Sequence, residues 1–139
     1  RCISYLTIEA PHDTPEEFRQ AAADRVFGCD ACQEACPFNA RVPPTDVEAF
    51  RTDIAGAEWD IGDLLLLETH EDVVDRFAGS PLMRAGRSGM VRNACTAAGN
   101  SKDPQYRRRL EILCDDDDPG IAEHARWALG ELGDTAATE

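Results

Sequence analysis

The sequence predicts a mostly α-helical chain in two parts: a loop-rich, cysteine-bearing segment over residues 1–44 and a short stack of helices over residues 45–139. Three observations predict it. Cys2, Cys29, Cys32 and Cys36 crowd four of the six cysteines into the first part. Ser80-Pro81, Asp103-Pro104 and Asp118-Pro119 each set an N-capping residue before a proline suited to the first helical position. Asn93 to Gly99 resembles His124 to Gly130 at a shift of 31 residues, with small residues where packed helices approach closely.

In the first part, Ile3, Tyr5 and Ile8 suggest a short apolar strand or extended lead-in. Thr14-Pro15-Glu16-Glu17 reads as a capping box opening a helix that runs to about Asp24. Gly28 then lets the backbone turn tightly, and backbone N–H groups around Gly28 to Ala31 are expected to face sulfur.

Cys29-x2-Cys32-x3-Cys36-Pro37 has the spacing of a bacterial ferredoxin motif, in which the cysteine before proline serves a different cluster from its neighbours. Cys2, Cys29 and Cys32 are thus candidate ligands of one [4Fe–4S] cluster and Cys36 of a second. A structural zinc site would also use such a pair, but zinc pairs seldom carry the added x3-Cys-Pro. A disulfide framework fits poorly, because the thiols are clustered and no secretory or membrane-spanning segment is visible. Two clusters need eight cysteines, so this partial ferredoxin-like domain is expected to be a fragment whose other ligands lie before Arg1; one cluster with all four ligands local is the second reading, which ignores the separate role of the cysteine before proline. Cys95 and Cys114 read as small buried hydrophobes.

From Thr45 the expected helices are 46–52, 60–78 with a break near Thr69, 81–85, 89–99, 104–114 and 119–132. Ser88 is a candidate N-cap, Gly79 and Asn100 are candidate C-caps, and Asp115 to Asp118 is a connector plus cap. The repeat suggests a HEAT-like helical domain, with Leu64 to Phe77 as an irregular capping pair. Trp59 and Trp127 are expected in the core or an interface, and His12, His70 and His124 at the surface or in caps.

The chain carries a net charge of −13, which argues against a polyanionic partner. Its distribution argues the reverse. Between Arg76 and Arg109 eight basic residues face the single acid Asp103, a local +7, against −20 elsewhere. Such segregation makes a surface able to attract phosphate within a screening length of about 10 Å. The acid-rich stretch from Arg51 to Glu71 is expected to face away from it.

Arg1-Cys2-Ile3-Ser4-Tyr5-Leu6-Thr7-Ile8-Glu9, Phe27 to Gln33 with Cys36-Pro37-Phe38-Asn39, and Pro81 to Ala94 together resemble the epoxyqueuosine reductases. The resemblance runs over nearly the whole chain. It implies a tRNA-modifying oxidoreductase that reduces epoxyqueuosine to queuosine at the anticodon with two [4Fe–4S] clusters and cobalamin. This chain would hold the second half of the cluster domain and the HEAT-like domain, with the catalytic domain absent and no activity expected alone. By the same resemblance Cys2, Cys29, Cys32 and Cys36 are cluster ligands, Ser4 and Asp30 approach cobalamin, and Arg84, Arg87, Ser88, Arg92 and Asn93 contact a tRNA anticodon stem-loop. It further implies a cytoplasmic protein, monomeric at full length, with an unspecified electron donor. The competing reading is an iron–sulfur electron-transfer adaptor with a helical domain that docks a protein.

Overall fold

The computed structural model describes residues 2–10, 13–50 and 59–133, and these are helical throughout, with no strand among them. The expected strand or extended lead-in near the start is instead helix α1, Ile3–Ile8. Its Thr7 hydroxyl bonds back to the Ile3 carbonyl (3.0 Å), and Thr7 is buried while Tyr5 stays exposed. The apolar alternation therefore reports helical spacing, not a pleat. Helix α2, Glu16–Ala22, begins and ends close to expectation. The capping box does not supply its start, for Pro15 occupies the cap position and no side chain caps there. The Thr14 carbonyl accepts from Arg19 Nε (2.9 Å). A single helical turn, α3, Ala31–Glu34, carries Cys32.

The second part follows the predicted punctuation. A 3-10 turn at Glu48–Phe50 marks the first expected helix, whose last residues lie outside those described. Helices α4, Ile61–Leu65, and α5, His70–Phe77, are separated where Thr69 caps α5 in a capping box with Asp72. Two backbone N–H groups, from Thr69 and Glu68, donate to Asp72 and hold its carboxyl below the usual range. Pro81–Arg84 is a 3-10 turn leading into α6, Gly86–Ser101, so Ser88 lies inside the helix rather than capping it. Asn100 is also internal, and Lys102, with φ +58°, takes the left-handed closing position. After a 3-10 turn at Pro104–Tyr106 come α7, Arg107–Leu113, and α8, Pro119–Leu132.

α6 is the axis of the molecule. Residues 89–99 are buried without interruption, because α4, α5, α8, α1 and α2 all pack around this helix. A Cβ placed on Gly99 would lie 2.8 Å from the Ala128 Cα, so α6 and α8 meet nearly backbone to backbone. The small-residue repeat marks that contact. α4 lies on α6 and α7 on α8, and Arg109 Nε of α7 bonds the Leu65 carbonyl at the end of α4 (2.9 Å), completing two layers of paired helices.

The first part shares this core. Val26 is buried in the same cluster as Phe77, Met90 and Leu110, with Phe27 packed against it, whereas residues 37–50 are exposed. Trp59 packs edge-on against Phe77 (5.9 Å between centroids), and Arg19 lies over the Trp127 ring at 5.5 Å. Among the described residues no helix is long and apolar enough to cross a membrane.

Candidate functional site

The candidate cluster site is assembled around α1. Cys2 is the extended residue before the helix, and its side chain is exposed. Five residues later the Thr7 hydroxyl accepts the Gly28 N–H (3.0 Å). Gly28 has φ +79°, a left-handed conformation that disfavours any side chain even though a Cβ would find space 4.0 Å from Ser4 Oγ and Ile8 Cδ1. The bond lays the entry to Cys29 alongside α1. It also spends the Gly28 N–H, which is therefore not free to face sulfur as expected from sequence.

Beyond Cys29 the chain makes the single turn α3, and Cys36 N–H returns to the Gln33 carbonyl (3.3 Å). Asn39 Nδ2 bonds the Gln33 carbonyl (3.0 Å) and side-chain oxygen (2.9 Å), tying the loop after Cys36-Pro37 to α3. Cys2, Cys29, Cys32 and Cys36 are all free thiols, exposed or half-buried. Four accessible soft donors on one lobe fit an iron–sulfur ligand set. Among the described residues no three His, Cys, Asp or Glu side chains are grouped to hold a single metal ion. Drawing such thiolates together is work that cluster binding itself performs. Cys95 is fully buried, which pushes its thiol far up, and burial also raises Cys114, so both stand apart from the donor set.

Two asparagines on α6 hold this lobe. Asn93 Nδ2 donates to the carbonyls of Thr7 (2.8 Å) and Val26 (2.8 Å). Seven residues on, Asn100 Nδ2 donates to those of Arg19 (2.8 Å) and Ala23 (2.8 Å). Asn93 is 3% exposed and both its amide hydrogens are used, so the structure shows it as an internal clamp on the segment before the cysteine loop. Sequence reading did not single out Thr7, and it read Asn100 as a C-cap rather than a clamp. A legible signal existed for the latter: asparagines two turns apart on one stripe of an Ala-rich helix. Ser4 is half-buried beside Gly28, and Asp30 is exposed at the start of α3.

The basic stretch is largely paired by folding. Arg76 meets Asp63 (3.2 Å), Arg109 meets Glu68 (3.3 Å), Lys102 meets Glu131 and Arg84 meets Glu9. Arg107 bonds the Gly133 carbonyl. Arg87 is fixed from three sides, by both Asp116 oxygens (Nη1 at 3.1 Å) and by the Leu67 carbonyl (3.1 Å). The hydrogen-bonded Arg87 guanidinium holds the Asp116 carboxyl below its ordinary value. Arg92 is 7% exposed and faces Asp13 at 3.5 Å. Ser88 bonds Asp118, the N-cap of α8. Of the residues assigned to RNA by resemblance, Arg84 is the most open, at 63% exposure, and Arg108 on α7 is also exposed.

Beneath Arg92 lies a buried polar group invisible from sequence. Arg19, 3% exposed, bonds Glu123 (2.5 Å), and His124, fully buried, contacts the Gly120 carbonyl through Nδ1 (2.9 Å). His124 was expected at the surface or in a cap; the i, i+4 return bond to Gly120 lets it sit inside. Burial, with the Arg19 charge nearby, pulls its pKa down to about 4.

Comparison with known proteins adds three findings. Residues 1–39 match a family described as a 4Fe-4S double cluster binding domain. Epoxyqueuosine reductase of Xanthomonas campestris is 36% identical over 136 residues, 96% of this chain and 38% of that protein; that of Pseudomonas aeruginosa is 38% identical over 138 residues, 97% and 37%. The chain thus spans a little over a third of these relatives. Among solved structures, an epoxyqueuosine reductase with an epoxyqueuosine-modified tRNA-Tyr stem loop superposes with a TM-score of 0.86 at 31% identity, covering 96% of this chain and 36% of the other. The enzyme from Streptococcus thermophilus gives 0.78 at 30% identity, covering 95% and 34%.

Proposed function

Because this chain is a relative of the epoxyqueuosine reductases that spans little more than a third of their length, we propose that it is the cluster-bearing and RNA-docking portion of such a reductase. The whole protein would reduce epoxyqueuosine to queuosine in a tRNA anticodon. The observation that carries this reading is the Asn93 clamp. One helix both follows the basic turn at Arg84 and holds the two carbonyls flanking the cysteine loop, so RNA docking and cluster placement share a rigid element.

Within that reading Cys2, Cys29 and Cys32 hold one [4Fe–4S] cluster and Cys36 reaches a second. Bound there, the clusters supply one-electron transfer, and cobalamin, bound mainly outside this chain, supplies the reduction chemistry. The chain's own contribution is positional. Thr7 fixes the Gly28 turn, Asn93 fixes Thr7 and Val26, and Asn39 closes the loop after Cys36. Ser4 and Asp30, next to Cys2 and Cys29, are the groups we place nearest cobalamin. The HEAT-like helices then present Arg84 and Arg108 to phosphate, with contacts that position the RNA without reading its sequence.

The test is substitution of Cys29 and Cys36 singly by serine in the full-length protein, read by iron content, cluster electron paramagnetic resonance and reduction of epoxyqueuosine tRNA. Each variant should lose about half the iron if one ligand serves each of two clusters. Unchanged iron and spectra in both would defeat the assignment.

Internal pairing of the basic stretch favours a second reading, an iron–sulfur electron-transfer adaptor that docks a protein. Failure of the full-length protein to bind an anticodon stem-loop at low salt would select it. Arg87→Glu is a poor probe for this purpose, since it breaks the Asp116 pair; Arg108→Glu is the cleaner one.

A further inference from the structure

The Thr7 hydroxyl, on a side chain buried to 4% exposure, accepts the N–H of Gly28 at 3.0 Å. Gly28 immediately precedes the candidate ligand Cys29, and α1, which carries Thr7, begins directly after the candidate ligand Cys2. We propose that Thr7 is a positioning residue that sets the reduction potential of the cluster held by Cys2, Cys29 and Cys32, by keeping the Gly28 N–H away from cluster sulfur. The inference rests on the ligand reading above and adds to it a residue that is itself no ligand.

The hydrogen bonding of Thr7 fixes what its hydroxyl can do. A threonine hydroxyl has one hydrogen to donate and two lone pairs. The hydrogen is committed inside α1, to the Ile3 carbonyl at 3.0 Å with the Ser4 carbonyl at 3.3 Å. Only acceptor capacity is left for Gly28, so that N–H is occupied by oxygen.

The hydroxyl is not what anchors the turn. Asn93 bonds the carbonyls of Thr7 and Val26, and these are backbone groups that any residue at position 7 retains. What the hydroxyl decides is the acceptor of one N–H beside a ligand. Reduction adds one electron to the cluster and breaks no bond, so the reduced form carries more negative charge. An N–H directed at its sulfurs stabilises that form and raises the potential. With the Gly28 N–H held by Thr7, the couple stays lower, which favours passing the electron on.

The test uses the full-length, cluster-loaded protein, with dithionite as the electron source and electron paramagnetic resonance read at set potentials. Thr7→Val keeps the shape of the side chain and removes the acceptor. It should shift one couple about tenfold toward the reduced form, about 59 mV for one electron. The couple that moves should be the one lost in Cys29→Ser, and Thr7→Ser, which keeps the hydroxyl, should show the parent value. In D2O the reduced Thr7→Val cluster should gain coupling to a further exchangeable deuteron. If clusters load fully but Thr7→Val moves neither potential, or Thr7→Ser moves one as far as valine does, the proposal falls while the ligand reading stands. Loss of the cluster from Thr7→Val would make the hydroxyl a structural support and equally overturn the proposal. If the parent protein takes up no [4Fe–4S] cluster, both fall.

Discussion

The Asn93 side chain donates a 2.8 Å hydrogen bond to the Thr7 carbonyl from 86 residues away, and its second hydrogen goes to Val26 at the same distance. Thr7 in turn accepts the Gly28 N–H, so a residue in the middle of α6 sets the backbone immediately before Cys29. Asn93→Ala leaves two buried carbonyls unpaired, at a cost of about 2–3 kcal/mol. Urea unfolding should show that loss, and iron should leave the protein faster under chelation. Asn100→Ala, which frees two carbonyls at α2, should lose similar stability without the same acceleration.

The approach of α6 to α8 predicts a second outcome. Gly99→Ala places a methyl 2.8 Å from the Ala128 Cα, and backbone cannot rotate away as a side chain would. Separation of the helices should cost about 1–3 kcal/mol in thermal or urea denaturation. Gly130→Ala, with nothing within 4 Å of its Cβ, should be neutral or mildly stabilising, since alanine favours helix.

His124 makes stability depend on pH. Its folded pKa is depressed to about 4, below the ordinary 6.5, so the unfolded chain binds the extra proton between those values. The contribution is complete above about pH 6.5 and is lost as pH falls toward 4, a swing of up to about 3 kcal/mol. Unfolding midpoints across that window should drop steeply in the parent protein and flatten in His124→Leu. An equally steep slope in the variant would assign the effect elsewhere.

Arg87 and Asp116 form an ion pair that links α6 to the turn before α8. Both are largely buried, and removal of one strands the other. Arg87→Gln should destabilise by about 2 kcal/mol, while stem-loop affinity of the folded fraction changes little. The lowered Asp116 pKa gives a stability term present above the unfolded carboxylate value and lost as pH falls through the lower folded one. Arg87→Gln should therefore also weaken the acid-side dependence below about pH 4.

Local chemistry made much of the fold legible in advance. The proline-punctuated helix starts and the break before His70 depend on residues adjacent in sequence, so short-range reading found them. The Cys29-x2-Cys32-x3-Cys36-Pro37 spacing likewise pointed to iron–sulfur ligation, because ligand pattern is written in the chain. The beginning misled: Ile3, Tyr5 and Ile8 fit two periods, and burial of Thr7 against α6 decided for the helix.

What the sequence by itself determined is therefore the helical class, the match of the cysteine spacing to an iron–sulfur motif and the small-residue contact marked by the 31-residue repeat. Tertiary structure alone decided the fate of the charges and the polar residues inside α6. A run of eight basic residues implies a cationic face only if acids distant in sequence stay away. Folding brings Glu9, Asp13, Asp63, Glu68, Asp116 and Glu131 to six of them, since ion pairing acts over ångströms in space and is indifferent to separation along the chain. For the same reason Asn93 belongs to the cysteine loop and not to the surface.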